Sequence, residues 1–555
     1  MSIQKLKNAA HLRLLFQKPG LFWQKIRNRC RILIGEFFID KTTSGFIKHN
    51  RHVWKGWVDT HGSRVVLIDW NILPVWVVPG LFFANVLARK KSARICSFAR
   101  EQWGWAHATH AVYRSLNVTQ HLEMGRLSAN QHELRDKIYE EVTGKLKTKE
   151  DVFNIKINGI HIGLDIYESY LKEFNKPTVY LDEALLSVVH LAIGYLVFWE
   201  DYFNKHEVAG VVISHDAYVD YNIVCRIAYQ RKVPVYKPMG PYVSLLKKPH
   251  DSENFFYSYK NWFDGFNADE KQQAKELARR QLEKRFKGEV GGELHYAKVS
   301  AFSSPGNNPL VIRPSDKIKV LICSHCFYDN PHAYGGMLFI DFYEWLKFLI
   351  KIAEKTDYDW YLKTHPQPLP GTMEFIKEIL GQSSRITIVP SATSHHQLAR
   401  EGINFVLTVY GTVGHEYPAL GVGVINAGYN PHAGYDFTWT PKNLSEYEHL
   451  LFNLKNLKKD ITIDEIYEFY YMHYYYCLIE DLVYHSFRDT VKRWTRQQHV
   501  SSDVYSFYLN GWDEQRHKRS IRWMEEFIDS GKQHLFIKGP VDVQDSRIQE
   551  TVYLS

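Results

Sequence analysis

The chain reads as α/β: two Rossmann-like, doubly wound domains in succession, with a C-terminal helical tail. Three observations predict this. Short apolar runs alternate with helix-patterned segments in two separate series, the spacing of βαβ units. A stretch rich in Gly, Ser, Pro and Asn, residues 288–314, separates the series. Beyond Leu444 the pattern turns helical, with an aromatic run over 467–476 and a charged stretch over 513–527. The expected division is a basic segment 1–40, a first α/β domain 41–287, a linker 288–317, a second α/β domain 318–460 and a helical region 461–555.

In the first series, strands are expected over 65–69, 94–98, 210–214 and 234–236. Helices fall over 130–149, 185–203 and 223–231, and a short alternating stretch over 154–163. In the second series, strands are expected over 318–323, 360–363, 386–389, 405–409 and 424–425, with helices over 339–354 and 373–380. Near-continuous Val, Ile and Leu in the strands predicts parallel sheets covered on both faces. In such sheets ligands sit beyond the carboxyl ends of the strands.

Composition sets outer bounds. At 555 residues the chain exceeds one ordinary core, and 45% hydrophobic with 23% charged residues is a usual globular balance. The net charge of +8 is modest for this length, so nucleic acid is not an expected partner. The 35 Tyr and 15 Trp suit either large cores or sugar stacking. Before Gly35, Lys5, Lys7, Arg13, Lys18, Lys25, Arg27, Arg29 and Arg31 interleave with Leu12, Leu15, Phe16, Phe22, Trp23 and Ile26, without an acid. This segment reads as a basic amphipathic surface for an anionic membrane face or as an ordinary first helix, broken at Pro19-Gly20. It lacks the apolar stretch of a signal peptide. No run matches a spanning helix, the nearest being 75–87. The six cysteines are scattered, as in a reducing compartment, and Cys323 and Cys326 form a lone C-x-x-C read as buried thiols.

Two segments carry the chemistry. Tyr-Leu-Lys-Thr-His-Pro over 361–366 delivers Lys363, His365 and a rigid Pro366 at a strand end. Val-Tyr-Gly-Thr-Val-Gly-His-Glu over 409–416 is a Gly-rich strand-to-helix turn, where free N–H groups and a helix dipole attract anions. Gly411 and Gly414 would allow close approach of a phosphate, the Thr412 hydroxyl would donate to it, and Glu416 would accept ribose hydroxyls. Ser394 reads as a helix N-cap or, with His395, as a phosphate or base contact. His325 and Asp329 follow the first strand of the second series, and His215, Asp216 and Asp220 hold the matching place in the first. Asp216 or His215 is the expected base, with Asp329 the rival. Asp357-Tyr-Asp359 has the D-x-D spacing of a metal site but precedes its strand, at the end away from the cleft, so no metal is expected.

These residues resemble a known group. Lys363-Thr-His-Pro366 looks like the K-x-H-P segment of bacterial capsule and surface-polysaccharide glycosyltransferases, including Kdo transferases and polysialyltransferases. The Ser-rich 391–395 and the 411–416 turn follow in that family's order, and 163–167, 215–218 and 339–345 also look like segments of surface-carbohydrate proteins. The resemblance implies a metal-independent glycosyltransferase of GT-B fold, with His365, Pro366, Ser394, Thr412 and Gly414 on the donor phosphate. It implies a nucleotide-sugar donor, such as a CMP-linked ulosonic acid, and an oligosaccharide or lipid-linked acceptor. It places the protein in the cytoplasm, at the inner face of the inner membrane. No close match to the acidic catalytic motif of polysialyltransferases is present, which leaves donor and stereochemistry open. The rival expectations are a nucleotide-sugar 2-epimerase, a polyol-phosphate transferase and a non-enzymatic glycan-binding scaffold.

Overall fold

Strands with apolar side chains on both faces need cover on both sides, and the protein supplies it with helices. The computed structural model describes residues 39–100, 107–249, 251, 254–289, 299–303, 309–366, 368–381, 383–476, 481–484, 502–537 and 552–554. The basic segment expected over 1–40 lies outside these residues except for its last two, and so do Cys30 and Cys477.

The first half contributes β1 (Arg64–Asp69), β2 (Ala93–Ala99), β3 (Val118–Glu123), β4 (Lys156–Ile157), β5 (Ile160–His161), β6 (Val208–Val212), β7 (Val235–Pro238) and β8 (Tyr242–Leu246). The second contributes β9 (Lys319–Cys323), β10 (Asp359–Lys363), β11 (Ile386–Ile388), β12 (Phe405–Thr408) and β13 (Gly423–Asn426). The chain closes with β14 (His534–Ile537) and β15 (Val552–Leu554).

Two large sheets result. One is eight-stranded, in the order β15-β14-β8-β7-β6-β1-β2-β3, and the other five-stranded, in the order β11-β10-β9-β12-β13. The second is parallel throughout, and in the first the run from β7 to β3 is parallel. Both parallel runs reverse direction of winding beside their first strand, between β1 and β6 and between β9 and β12, which leaves a crevice at the carboxyl ends.

The helix Pro74–Lys91 starts with Pro at its first position and is buried almost all round against one face of the larger sheet. Glu183–Lys205, capped by Asp182, covers the other face together with Gly163–Phe174 and Val219–Gln230. By length and composition Glu183–Lys205 is apolar enough to cross a membrane, which the sequence reading did not single out; here Val189, Ala192, Ile193, Leu196 and Trp199 are buried in the core. Phe342–Lys355 plays the same part for the five-stranded sheet.

The C-terminal region corrects the expectation of a helical tail. Asp503–Asn510 and Glu514–Ser530 are helices, but they pack on Lys41–Val53 and Pro74–Lys91 in the core of the first sheet. β14 then pairs antiparallel with β8, Leu535 opposite Val243. Segment 461–555 is thus neither helical throughout nor a separate tail. His-Leu-Phe-Ile is too short for strand periodicity to separate it from a helix, and its partner lies in the first half of the chain.

Candidate functional site

At the carboxyl end of the five-stranded sheet, β9 runs into Ser324 and His325, β10 into Thr364 and His365, and β12 into Tyr410 and Gly411. These ends surround a cavity of about 550 Å³. His325, Asp329, Lys363, His365, Pro366, His395, Gly411, Thr412 and Glu416 all line it. His215, Asp216, Ser394 and Gly414 do not.

The cavity is cationic on one side. Lys363 is only 2% exposed, and its Nζ makes one described hydrogen bond, to the carbonyl of Thr364 at 3.4 Å. Burial pulls its pKa down, opposed by Cys323 and Glu416. An ammonium with so little local solvation is poised for an anion. Arg285, at the end of the helix Ala268–Phe286, enters the same wall; its Nε donates to Glu416 Oε1 at 3.0 Å. Burial works against the Arg285 charge, and Glu416 more than restores it. Glu416 itself is 2% exposed, and its Oε2 is buried with no hydrogen-bond partner among the described residues.

His395 completes the wall, its ring against Phe302 and Tyr417 and its Nδ1 buried without a partner among the described residues. Burial first, then Lys363, Arg285 and two histidines, hold its pKa well below the usual value, so the imidazole is neutral. An anion placed here offsets those positive charges and raises that pKa. Binding then takes up a proton, and affinity rises as pH falls. Calorimetric titration of CMP in buffers of different ionisation enthalpy should show net proton uptake that grows as pH falls from neutral; release at every pH would remove His395 from the anion's contacts.

The turn corrects the expected phosphate cradle. Val413–Glu416 is a single helical turn that passes into the 3-10 turn Pro418–Leu420, too short for a developed macrodipole. The Gly411 N–H is taken by Thr408 Oγ1 at 3.1 Å, and the N–H groups of Gly414, His415 and Glu416 bond back within the turn. Gly414 faces away from the cavity: a Cβ there would fall 2.3 Å from the His432 ring. Gly414→Ala should therefore cost about 1–3 kcal/mol of stability through overpacking, seen as a lower denaturant midpoint at unchanged slope. Ser394 keeps the bland role, capping His395–Arg400 by accepting from His396 N at 3.2 Å.

The acid–base candidates separate. His325 is a strut: Nε2 accepts from Val409 N at 3.1 Å and meets Thr408 Oγ1 at 2.9 Å, tying β9 to β12. Its ring stacks on Phe342, and burial lowers its pKa to about 3. Asp216 is buried against Lys237, with Nζ to Oδ1 at 2.7 Å, away from the cavity lining. His215 has its pKa lowered to about 4, chiefly by burial, and Nδ1 lies 2.8 Å from Ser214 Oγ. Asp220 pairs with Arg100. Asp329 does face the cavity, and it bridges to the first sheet's half through Lys172 and through Tyr218, whose hydroxyl donates to Oδ1 at 3.2 Å. Tyr218 holds that position with φ +68° and ψ 152°, a backbone conformation that favours glycine and that recurs at functional sites.

Asp357 and Asp359 sit at the amino end of β10, paired with Lys317 and Ser315, opposite the cavity. Among the described residues no cluster of His, Cys, Asp and Glu could hold a metal ion.

Sequence reasoning missed Arg285 and Asp69. Arg285 ends a charged helix that reads as a solvated face, and nothing local marks its one buried cation. Asp69 closes β1 at the first sheet's crevice, taking Ser214 N at 3.0 Å and the Ser214 hydroxyl, with burial raising its pKa to about 6. An acid ending an apolar strand was the available signal.

No family model matches the chain, and no curated protein matches it. Among solved structures it is similar to a β-Kdo 2,4 transferase, KpsC of Thermosulfurimonas dismutans: 14% identity, 48% of this chain and 80% of that one, TM-score 0.27. A β-Kdo 2,7 transferase KpsC from the same organism gives 15% identity over 49% and 87%, TM-score 0.26. UDP-GlcNAc 2-epimerase from Neisseria meningitidis gives 10% identity over 73% and 97%, TM-score 0.21. These likenesses are distant.

Proposed function

We propose that the chain is a glycosyltransferase of bacterial surface-polysaccharide synthesis, with two Rossmann-like halves in the GT-B arrangement. The observation that carries this reading is the convergence of Lys363, Arg285, His365 and His395 on one crevice at a parallel-sheet switch point. The capsule context is supported by the K-T-H-P resemblance alone. Lys363 and the histidines take the donor phosphate, and the open Oε2 of Glu416 accepts from a ribose hydroxyl. The acceptor is an oligosaccharide or lipid-linked glycan, and the basic N-terminal segment holds the enzyme at the anionic inner leaflet.

The acceptor hydroxyl attacks the anomeric carbon as its bond to the phosphate oxygen breaks. The electron pair leaves with the phosphate, whose charge the lysine and arginine meet without a metal. The proton passes to a carboxylate, and Asp329 takes that role over Asp216 because it faces the cavity.

Asp329→Asn should lower turnover about 100-fold or more and leave nucleotide affinity unchanged. Normal turnover would return the role to another group. The reading as a whole is tested by calorimetry with CMP and UDP, with His365→Ala weakening binding about tenfold, and by assay of nucleotide release from CMP- and UDP-sugars with and without glycan acceptors. Acceptor-dependent release that EDTA leaves unchanged is expected. Epimer formation without acceptor, or nucleotide binding with no turnover on any acceptor, would contradict transfer.

A further inference from the structure

Beside loop 332–335 lies a second cavity, of about 560 Å³, for which the first cavity's chemistry has no use. The two share a wall, since Tyr334 lines both. Phe153, Phe256, Tyr257 and Tyr429 line the second one as well. Tyr257 and Tyr429 are each 48% exposed, with ring centroids 6.1 Å apart and edge to face.

The position of Tyr429 is built in. A Cβ on Gly336 would fall 1.6 Å from Tyr429 Cδ2, so the ring lies against backbone that only glycine leaves bare. Tyr429 N donates to Gly336 O at 2.9 Å, and Met337 and Gly428 form a β-bridge that fixes the pair. The exposed aromatic face is therefore held rigidly at the cavity.

A polar group completes it. His332, 6% exposed, lines the same cavity and turns both N and Nδ1 to Glu168 Oε1, at 3.3 and 3.2 Å. A carboxylate accepts, so Nδ1 carries a hydrogen and is committed to Glu168, which leaves Nε2 as the ring's remaining polar atom. That Nε2 is buried and has no hydrogen-bond partner among the described residues. It calls for a partner such as a hydroxyl, which both donates and accepts. The charged lining groups are mostly spent. Arg226 is bound to Asp165, with Nη2 to Oδ1 at 3.0 Å. Asp251 accepts from Lys247 N, Asn254 Nδ2 and Gln533 Nε2 at 3.0, 2.8 and 2.8 Å. Lys248 stands exposed at the edge. Half-exposed tyrosine faces and an unmet imidazole nitrogen, with charges mostly paired, suit a polyhydroxylated ring whose C–H groups pack on aromatic faces.

We propose that this second cavity is a glycan subsite, in which Tyr257 and Tyr429 stack on sugar rings and His332 Nε2 hydrogen-bonds a sugar hydroxyl. It rests on the sugar-transfer reading and seats the acceptor glycan next to the nucleotide cavity, across Tyr334.

The test is binding of the full chain to an array of bacterial capsular and lipopolysaccharide oligosaccharides. Wild type should bind a subset. Tyr257→Ala/Tyr429→Ala should lose at least tenfold in signal at an unchanged unfolding temperature, and Tyr429→Phe should keep it because the stacking face remains. His332→Ala should also lose signal. A silent array with wild type, or equal binding by the double variant, overturns the proposal. Nucleotide calorimetry keeps the two readings apart: CMP or UDP binding with a silent array fails only the subsite, and glycan binding without nucleotide binding fails only the transferase.

Discussion

Lys363→Met should lower CMP or UDP affinity about 10–100-fold, the loss expected for charge-assisted hydrogen bonds to phosphate. The same change should leave the free protein no less stable, and up to about 2 kcal/mol more so, because it replaces a buried ammonium with an apolar chain of similar length. The opposite signs are the diagnostic. Lys363 is buried at 2% exposure with one long hydrogen bond, and burial disfavours its charged form. A lysine with a purely structural role would lose stability on removal and leave binding alone. Chemical denaturation and calorimetry on the same two proteins read both quantities.

Arg285→Ala should have the largest effect on the fold. It leaves the Glu416 carboxylate buried with neither oxygen paired, which costs about 3–5 kcal/mol. Adding Glu416→Gln should recover much of that loss, because a neutral amide tolerates the site better. The double-mutant cycle over Arg285→Ala and Glu416→Gln should then give a coupling well above that of an exposed pair, about 1 kcal/mol at most. Independent, additive losses would mean that the pair is not a unit. Nucleotide binding should fail in Arg285→Ala even where enough folded protein remains, since the cationic wall is then open.

What the sequence made legible follows from how local the signal is. β1, β6, β9 and β12 each carry an unbroken apolar run, and the shorter runs of β2 and β10 sit at the spacing of the same series, so their burial could be read directly. The segments ending at Lys363 and Gly411 were legible for the same reason, since each closes such a strand. β8 and β14 were not. β8 closes a tight antiparallel hairpin with β7, Pro238 opposite Val243, whose second strand has no long apolar run of its own, and β14 is short and pairs with β8 far away in the chain, Leu535 against Val243, which no window of sequence contains. The glycines misled in part. Gly414 was read as room for a phosphate, and the room is filled by His432. A glycine reports close approach without saying what approaches. Asp216 was preferred to Asp329 though both are acids after strands, and only the three-dimensional neighbours, Lys237 for one and the cavity for the other, reverse that order. The Glu168–His332 pair joins residues from two halves of the chain, so neither stood out by itself.

The most direct test is a crystal structure of the protein with CMP or UDP bound. The predicted result is a phosphate oxygen within about 3 Å of Lys363 Nζ, with His365 and His395 on the same group and a ribose hydroxyl at Glu416 Oε2. A nucleotide seated elsewhere, with Lys363 still bonded only to the Thr364 carbonyl, would contradict the account.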